Sequence, residues 1–243
     1  MSSLAELKAK TRTAEQIAAT VKNGDVLDYG MSINQPDLFD QALANRVTEL
    51  RDVYIRGTLT VSPRQVVLAD PRQEHVSYDN WHFSTWDRRQ FDQHRVSYIP
   101  FNFGESPQIY RDYLEIDLLV IKATAMDRHG YFNFGASNAM VRVACEIAKR
   151  VVVETSTALP RCYGIENAVH ISEVDAVIEG DNQPPVELPS GAITDIDRTV
   201  ADYILQPHPQ PASNPTPTPP HPPPHTPPPP QTPPKHHPHH THH

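Results

Sequence analysis

Apolar positions along this chain come in two rhythms that alternate. Over residues 13–23, Ala14, Ile17, Ala18 and Val21 recur at three- and four-residue spacing, the stripe of a helix buried on one side. Thr13 and Gln16 have capping-box spacing, and Gly24 suits a left-handed helix end. Residues 26–29 predict a strand, and Gly30 opens a loop. Asn34 is placed to cap the next helix, with Pro36 in its first turn. Leu38, Phe39, Ala42, Leu43 and Val47 give that helix its inward stripe. A strand over 53–59 completes a β-loop-α-β unit.

The alternation continues less cleanly. Strands are predicted over 82–86, 97–101, 117–124, 131–134, 151–155 and 176–179. The stretch 117–124, nearly all apolar and β-branched, reads as a central strand. Helices are predicted over 87–94, 105–113, 137–150 (capped by Ser137) and 194–205; the last carries Ile196, Val200, Ala201 and Ile204 on one face. Leu4 and Leu7 give the first ten residues a helical look. Strands alternating with such helices imply an α/β fold, a mostly parallel sheet flanked by helices. Ligands of such sheets sit beyond the carboxyl ends of the strands, which selects the loops 30–35, 103–107 and 124–130.

Composition divides the chain. Of 243 residues and 26 prolines, residues 206–243 hold 17 prolines and 9 of the 14 histidines. The expectation is therefore one α/β domain, 1–205, and a Pro/His-rich low-complexity tail, 206–243, extended and solvated. The tail's Pro, His, Gln, Thr, Lys and Asn all use codons whose first two bases are C or A. A frameshift or gene-model error is the leading explanation for it, ahead of a selected tail. His236, His237, His239, His240, His242 and His243 would chelate Ni²⁺ or Zn²⁺. No metal site is expected in the domain.

A net charge of −8 argues against a general basic face for nucleic acid. No apolar run approaches the ~20 residues of a membrane span, and no signal-peptide pattern opens the chain. Cys145 and Cys162 lack a CxxC partner and read as reduced thiols, which implies a cytoplasmic location.

Six stretches then carry a resemblance: NGDVLDYG (23–30), IPFNFGESPQIYRD (99–112), DLLVIKATAMDRHGYFNFG (117–135), ACEIAKRVVVE (144–154), LPRCYG (159–164) and VHISEVDAVIEGDNQP (169–184). In this order and spacing the chain resembles the N-terminal domain of the acetyl-CoA hydrolase/transferase family. It is most similar to the butyryl-CoA:acetate and 4-hydroxybutyrate CoA-transferases. The resemblance implies a short-chain acyl-CoA and a carboxylic acid as partners, with coenzyme A as substrate and no cofactor. It also implies a glutamate nucleophile, which attacks the thioester to give an acyl-glutamyl anhydride and CoA thiolate. The thiolate then attacks the anhydride, leaving a glutamyl-CoA thioester and a free acid. A second acid takes the CoA by the reverse steps.

In the family that glutamate, and a glycine-rich turn that approaches CoA, belong to a second α/β half. No glutamate follows Glu187 here, so no catalytic residue is carried over. The expectation is an N-terminal half, inactive alone. The alternatives are a non-enzymatic module that pairs with a separate C-terminal half or forms a homo-oligomer, and a metal-binding protein working through its tail.

The pocket candidates are Gly30, Met31, Ser32, Glu105 and His129. Gly30, Met31 and Ser32 occupy the family's substrate-facing loop, or form a plain βα connection. Glu105 either faces the acyl group or stabilises a helix N-terminus. His129 either acts as an acid/base group or belongs to a tight turn that ends at Gly130. Cys162 is a reactive thiol beside Arg161, or a packing residue. Tyr78, Trp81, Phe83 and Trp86 form an aromatic cluster, either an interface or ordinary core.

Overall fold

The computed structural model describes residues 2–187 and 190–205. The chain divides into two units, residues 1–188 and 189–243. The tail of residues 206–243, with its histidines, lies outside the described residues.

The first unit opens with α1 (Ser3–Lys10) and α2 (Ala14–Ala18), then β1 (Val26–Met31), α3 (Leu38–Ala44), β2 (Val53–Thr58), α4 (Gln65–Ala69) and β3 (Val76–Asn80). It continues through α5 (Thr85–Phe91), β4 (Ser97–Tyr98), α6 (Ser106–Tyr113), β5 (Leu118–Thr124), β6 (Tyr131–Asn133), α7 (Val141–Ile147), β7 (Val151–Ser156), β8 (Ala168–His170) and β9 (Ala176–Glu179). Seven strands form one sheet in the order β4-β3-β2-β1-β5-β7-β9, and every pairing in it is parallel. Strands β6 and β8 form a separate antiparallel pair.

The chain winds outward from β1 to β4, returns to lay β5 on the other side of β1, and winds outward again to β9. The strand order therefore reverses between β1 and β5, where a doubly wound sheet opens a crevice at its carboxyl edge.

Two apolar layers enclose the sheet. Leu118 and Val120 enter one with Phe39, Leu43 and Val66 from α3 and α4. Leu119, Ile121 and Ala123 enter the other with Tyr110 of α6 and Val141 and Ala144 of α7. This is the two-residue alternation of a strand covered on both faces, and all seven residues of β5 are buried. The second unit contributes α8 (Asp195–Leu205), where Thr194 and Asp197 cap each other's backbone N–H groups.

The expected α/β class holds, with local corrections. The capping box of Thr13 and Gln16 forms, but α2 stops at Ala18 because Thr20 and Val21 donate to carbonyls three residues back. Gly24, at φ +79°, serves the turn before β1. The helix expected over 137–150 is only Val141–Ile147, since the Lys149 N–H has already turned to the Ile116 carbonyl beside the sheet. The strand expected over 82–86 is not one. Ser84 and Asp87 form a capping box that starts α5, and the strand lies earlier, in β3.

Asn34 does not cap α3. The three N–H groups of Asp37, Leu38 and Phe39 donate instead to the two carboxylate oxygens of Glu154, at 3.0, 3.2 and 3.0 Å. A strand residue from β7 thus does the work of an N-cap. Glu154→Ala strands these amides in a buried place. It should lower unfolding stability by about 2–4 kcal/mol, with Glu154→Gln recovering part; urea denaturation of the three proteins measures this.

Candidate functional site

The crevice is built from the last residues of β1. The Gly30 N–H donates to Asp28 Oδ1 at 2.8 Å, and Gly30 takes φ +65°, breaking the regular pairing of β1 with β2 before Met31. The other carboxylate oxygen of Asp28 receives the Tyr110 hydroxyl at 2.8 Å and Arg56 Nη1 at 3.4 Å. Arg56 is itself enclosed by the rings of Tyr54, Trp81 and Tyr110. A Cβ on Gly30 would stand 3.1 Å from Ile121 Cγ2 of β5, so a small residue lets the two strand ends meet. Ser32 follows at φ +53° and begins a short 3₁₀ turn, Ser32–Asn34.

The next residues are anchored from several elements. Asn34 Nδ2 donates to the Phe134 carbonyl at 2.6 Å. Gln35 is buried against Thr60 and Tyr78. The Asp37 carboxylate bridges Arg64, at 2.7 Å, and Lys122. Burial disfavours its charge, but Arg64 and Lys122 outweigh this and hold its carboxyl below the ordinary range. Ser32, Ile33, Gln35, Asp37, Arg64 and Lys122 line one small cleft at the sheet's carboxyl edge. Its lining brings together a hydroxyl, a primary amide and two cations that are both paired with Asp37.

Of the candidate residues, Gly30, Met31 and Ser32 stand together at the end of β1, beside the strand reversal. Glu105 lies apart, exposed in the 3₁₀ turn Phe103–Glu105 before α6. Its side chain makes no capping hydrogen bond. His129 is also exposed, in the turn between β5 and β6. There Asp127 Oδ1 accepts from the His129 and Tyr131 N–H groups, each at 2.9 Å, and Gly130 takes φ +89°. The His129 ring meets only the Arg128 guanidinium, at 3.0 Å. No hydrogen bond joins Glu105 or His129 to the β1 loop.

Among the described residues no cluster of three or more His, Cys, Asp or Glu is arranged to hold a metal ion. Cys145 and Cys162 are both free. The aromatic stretch does not form one cluster. Tyr78 packs in the layer of α3, Trp81 in the layer of α6 against Phe101 and Tyr110, and Phe83 packs on Phe91 and Tyr98.

The sequence reading passed over Asp28, Gln35, Asp37, Arg56, Arg64, Lys122 and Glu154. A signal for four of them was present: Asp28, Arg56, Lys122 and Glu154 are the charged residues inside otherwise apolar strands. In a sheet covered on both faces, such a residue must have a partner waiting.

The fold and crevice are those of a doubly wound α/β domain with a small polar cleft at its strand reversal. Residues 1–188 match the acetyl-CoA hydrolase/transferase N-terminal domain, and the chain belongs to this family. It is 36% identical over 215 residues to the butyryl-CoA:acetate CoA-transferase of Anaerostipes caccae, covering 87% of this chain and 48% of that protein. It is 37% identical to a probable butyrate:acetyl-CoA coenzyme A-transferase of Syntrophomonas wolfei, covering 84% and 46%. Among solved structures, RipA from Yersinia pestis superposes with a TM-score of 0.74 at 25% identity, over 83% of this chain and 50% of that one. The chain thus spans about half the length of these relatives.

Asp40, in the first turn of α3, is buried, and burial pushes its carboxyl up to about 6 against the pull of nearby Arg64. The folded state therefore holds this proton more tightly than the unfolded chain does. Stability should fall as pH rises from about 4 to about 6, by up to ~3 kcal/mol from this group. Asp40→Asn should flatten that segment of the curve, as read by thermal unfolding across pH.

Proposed function

We propose that this chain supplies the N-terminal half of a CoA-transferase that exchanges CoA between short-chain acyl-CoA and carboxylic acids of the acetate–butyrate type. The observation that carries the reading is the cleft at the β1/β5 reversal, where Arg64 and Lys122 converge on Asp37, in a chain that belongs to this family. The cations provide a field that attracts a carboxylate and steadies the charge that grows on a thioester oxygen under attack. Gly30, Met31 and Ser32 form the wall of the acyl pocket. Ser32, carried at positive φ, lines the crevice.

The reading assigns no nucleophile to this chain. Glu154 and Asp28, the buried carboxylates that β7 and β1 bring to the crevice, are both committed, Glu154 to the amides of α3 and Asp28 to Arg56, Tyr110 and the Gly30 N–H. The glutamate that attacks the thioester belongs to a second half, with which this unit forms the complete pocket. Two free cysteines suit a reducing cytoplasm, and no described helix is long and apolar enough to cross a membrane.

The test is CoA transfer from butyryl-CoA to acetate. The chain alone should show none above background. Mixing it with the C-terminal half of the Anaerostipes caccae relative should restore turnover, and Lys122→Met should lower that turnover by about tenfold or more. Robust transfer by the chain alone, or complementation indifferent to Lys122, would overturn the assignment.

A further inference from the structure

Helix α8 carries an apolar stripe that stands in solvent. Ile196, Val200, Tyr203 and Ile204 fall on one side of the helix, and each is 52% exposed or more. Asp195, Asp197, Arg198 and Asp202 take the rest of its surface. The mutual capping of Thr194 and Asp197 starts the helix well, with acidic residues in its first turn. Even so, a helix of 11 residues is marginal in water on propensity alone, and its stability comes from packing an apolar face. No residue of α8 is buried.

The first unit shows what such a stripe covers. Helix α2 also starts at a capping threonine, Thr13, and carries Ile17, Ala18 and Val21. Helix α8 repeats that spacing and residue character in Val200, Ala201 and Ile204. In α2 all three residues are buried, in the apolar layer that also holds Phe39 and Leu43 of α3 and Leu27 of β1. A helix of this pattern belongs on the face of a sheet, beside a second helix.

The family's N-terminal domain matches residues 1–188, so α8 begins beyond it. The Anaerostipes caccae and Syntrophomonas wolfei relatives nevertheless match 87% and 84% of this chain, and residues 1–194 are a smaller share of its 243 than either. The likeness therefore runs on into α8. Only 48% and 46% of those two proteins lie within the match. Helix α8 thus stands past the first domain and at the threshold of the part that the relatives have in addition.

We propose that α8 is the docking helix for the C-terminal half of the transferase: it inserts into that half as α2 inserts into the first unit, its stripe of Ile196, Val200, Tyr203 and Ile204 closing an apolar sheet face there. The proposal rests on the function proposed above and adds to it the surface that recruits the partner. A second copy of this chain is a poorer occupant. The helix is about 16 Å long, and one stripe of that length falls short of the ~800 Å² per partner of a stable dimer. Inserted as a core element, the helix is held on several sides and needs no such area of its own. Three aspartates against one arginine also argue against an anionic lipid surface.

The experiment co-expresses the full chain with the C-terminal half of the Anaerostipes caccae relative in two lengths. The long form begins with the segment matched by α8, and the short form begins just after it. Complex is measured by co-purification and titration. The wild-type chain should keep the short form in solution as a tight complex. Val200→Lys with Ile204→Lys retains helix propensity and should weaken that complex by about a hundredfold. Asp202→Asn with Arg198→Gln, on the polar side, should change it by less than about twofold. The long form brings its own helix and should bind the wild-type and double-Lys chains alike. A short form that stays insoluble beside the wild-type chain, or that binds the double-Lys chain equally well, overturns the proposal. A dimer of this chain that the double substitution abolishes also overturns it, giving the face to a second copy. CoA transfer restored by the long form in those cases leaves the proposed function standing. If neither form gives a complex or transfer, both fall together.

Discussion

A sheet clothed in helices on both faces has no interior place for an unpaired charge, and this constraint shapes the carboxyl edge of the molecule. Asp28, Arg56, Lys122 and Glu154 all leave buried strands, and each ends against a group that compensates it. Asp28 takes Arg56, a tyrosine hydroxyl and a backbone amide. Lys122 takes Asp37, and Glu154 takes the first amides of α3. Losing a partner would leave a buried charge exposed to a low dielectric, so these contacts hold the strand ends in fixed relation. The crevice is the space that remains between them.

The loop after β1 shows how far this reaches. Residues 30–37 contain little that fixes their own shape. They are held instead by Asp28 within β1, Phe134 after β6, Thr60 and Tyr78 at β2 and β3, Lys122 of β5 and Glu154 of β7. A segment gripped from so many strands has its geometry set by the sheet. Such rigid support under a loop is what a site needs when a small carboxylate must be told from its neighbours.

This is also why the sequence revealed one part and not the other. The apolar runs of β5 and β7 and the stripe of α3 follow local periodicity, so the α/β class was legible, as were most strands near the centre. Val76–Asn80 was missed because it is only five residues long with two apolar side chains, Val76 and Tyr78, and its pairing is supplied by β2 and β4. Gly30, Met31 and Ser32 could be selected because β1 announces its own end. Gln35, though inside the selected loop 30–35, Asp37 and Arg64 could not be singled out, because their meaning arises only when residues 25 to 85 positions apart come together. Glu154 capping α3 is the clearest instance: Asn34 and Pro36 supply a plausible local start, and a distant carboxylate supersedes it.

The reversal of strand order carries one more consequence, for assembly. The neighbours at the middle of the sheet, β1 and β5, are joined by contacts such as that of the Val26 N–H with Asp117, 91 residues away along the chain. The hinge line of the whole sheet is thus also one of its longest loop closures. Four strands can gather on one flank before their central partner is even available, and the crevice takes form only when the two flanks are zipped together, in the slow class of topologies dominated by distant pairings.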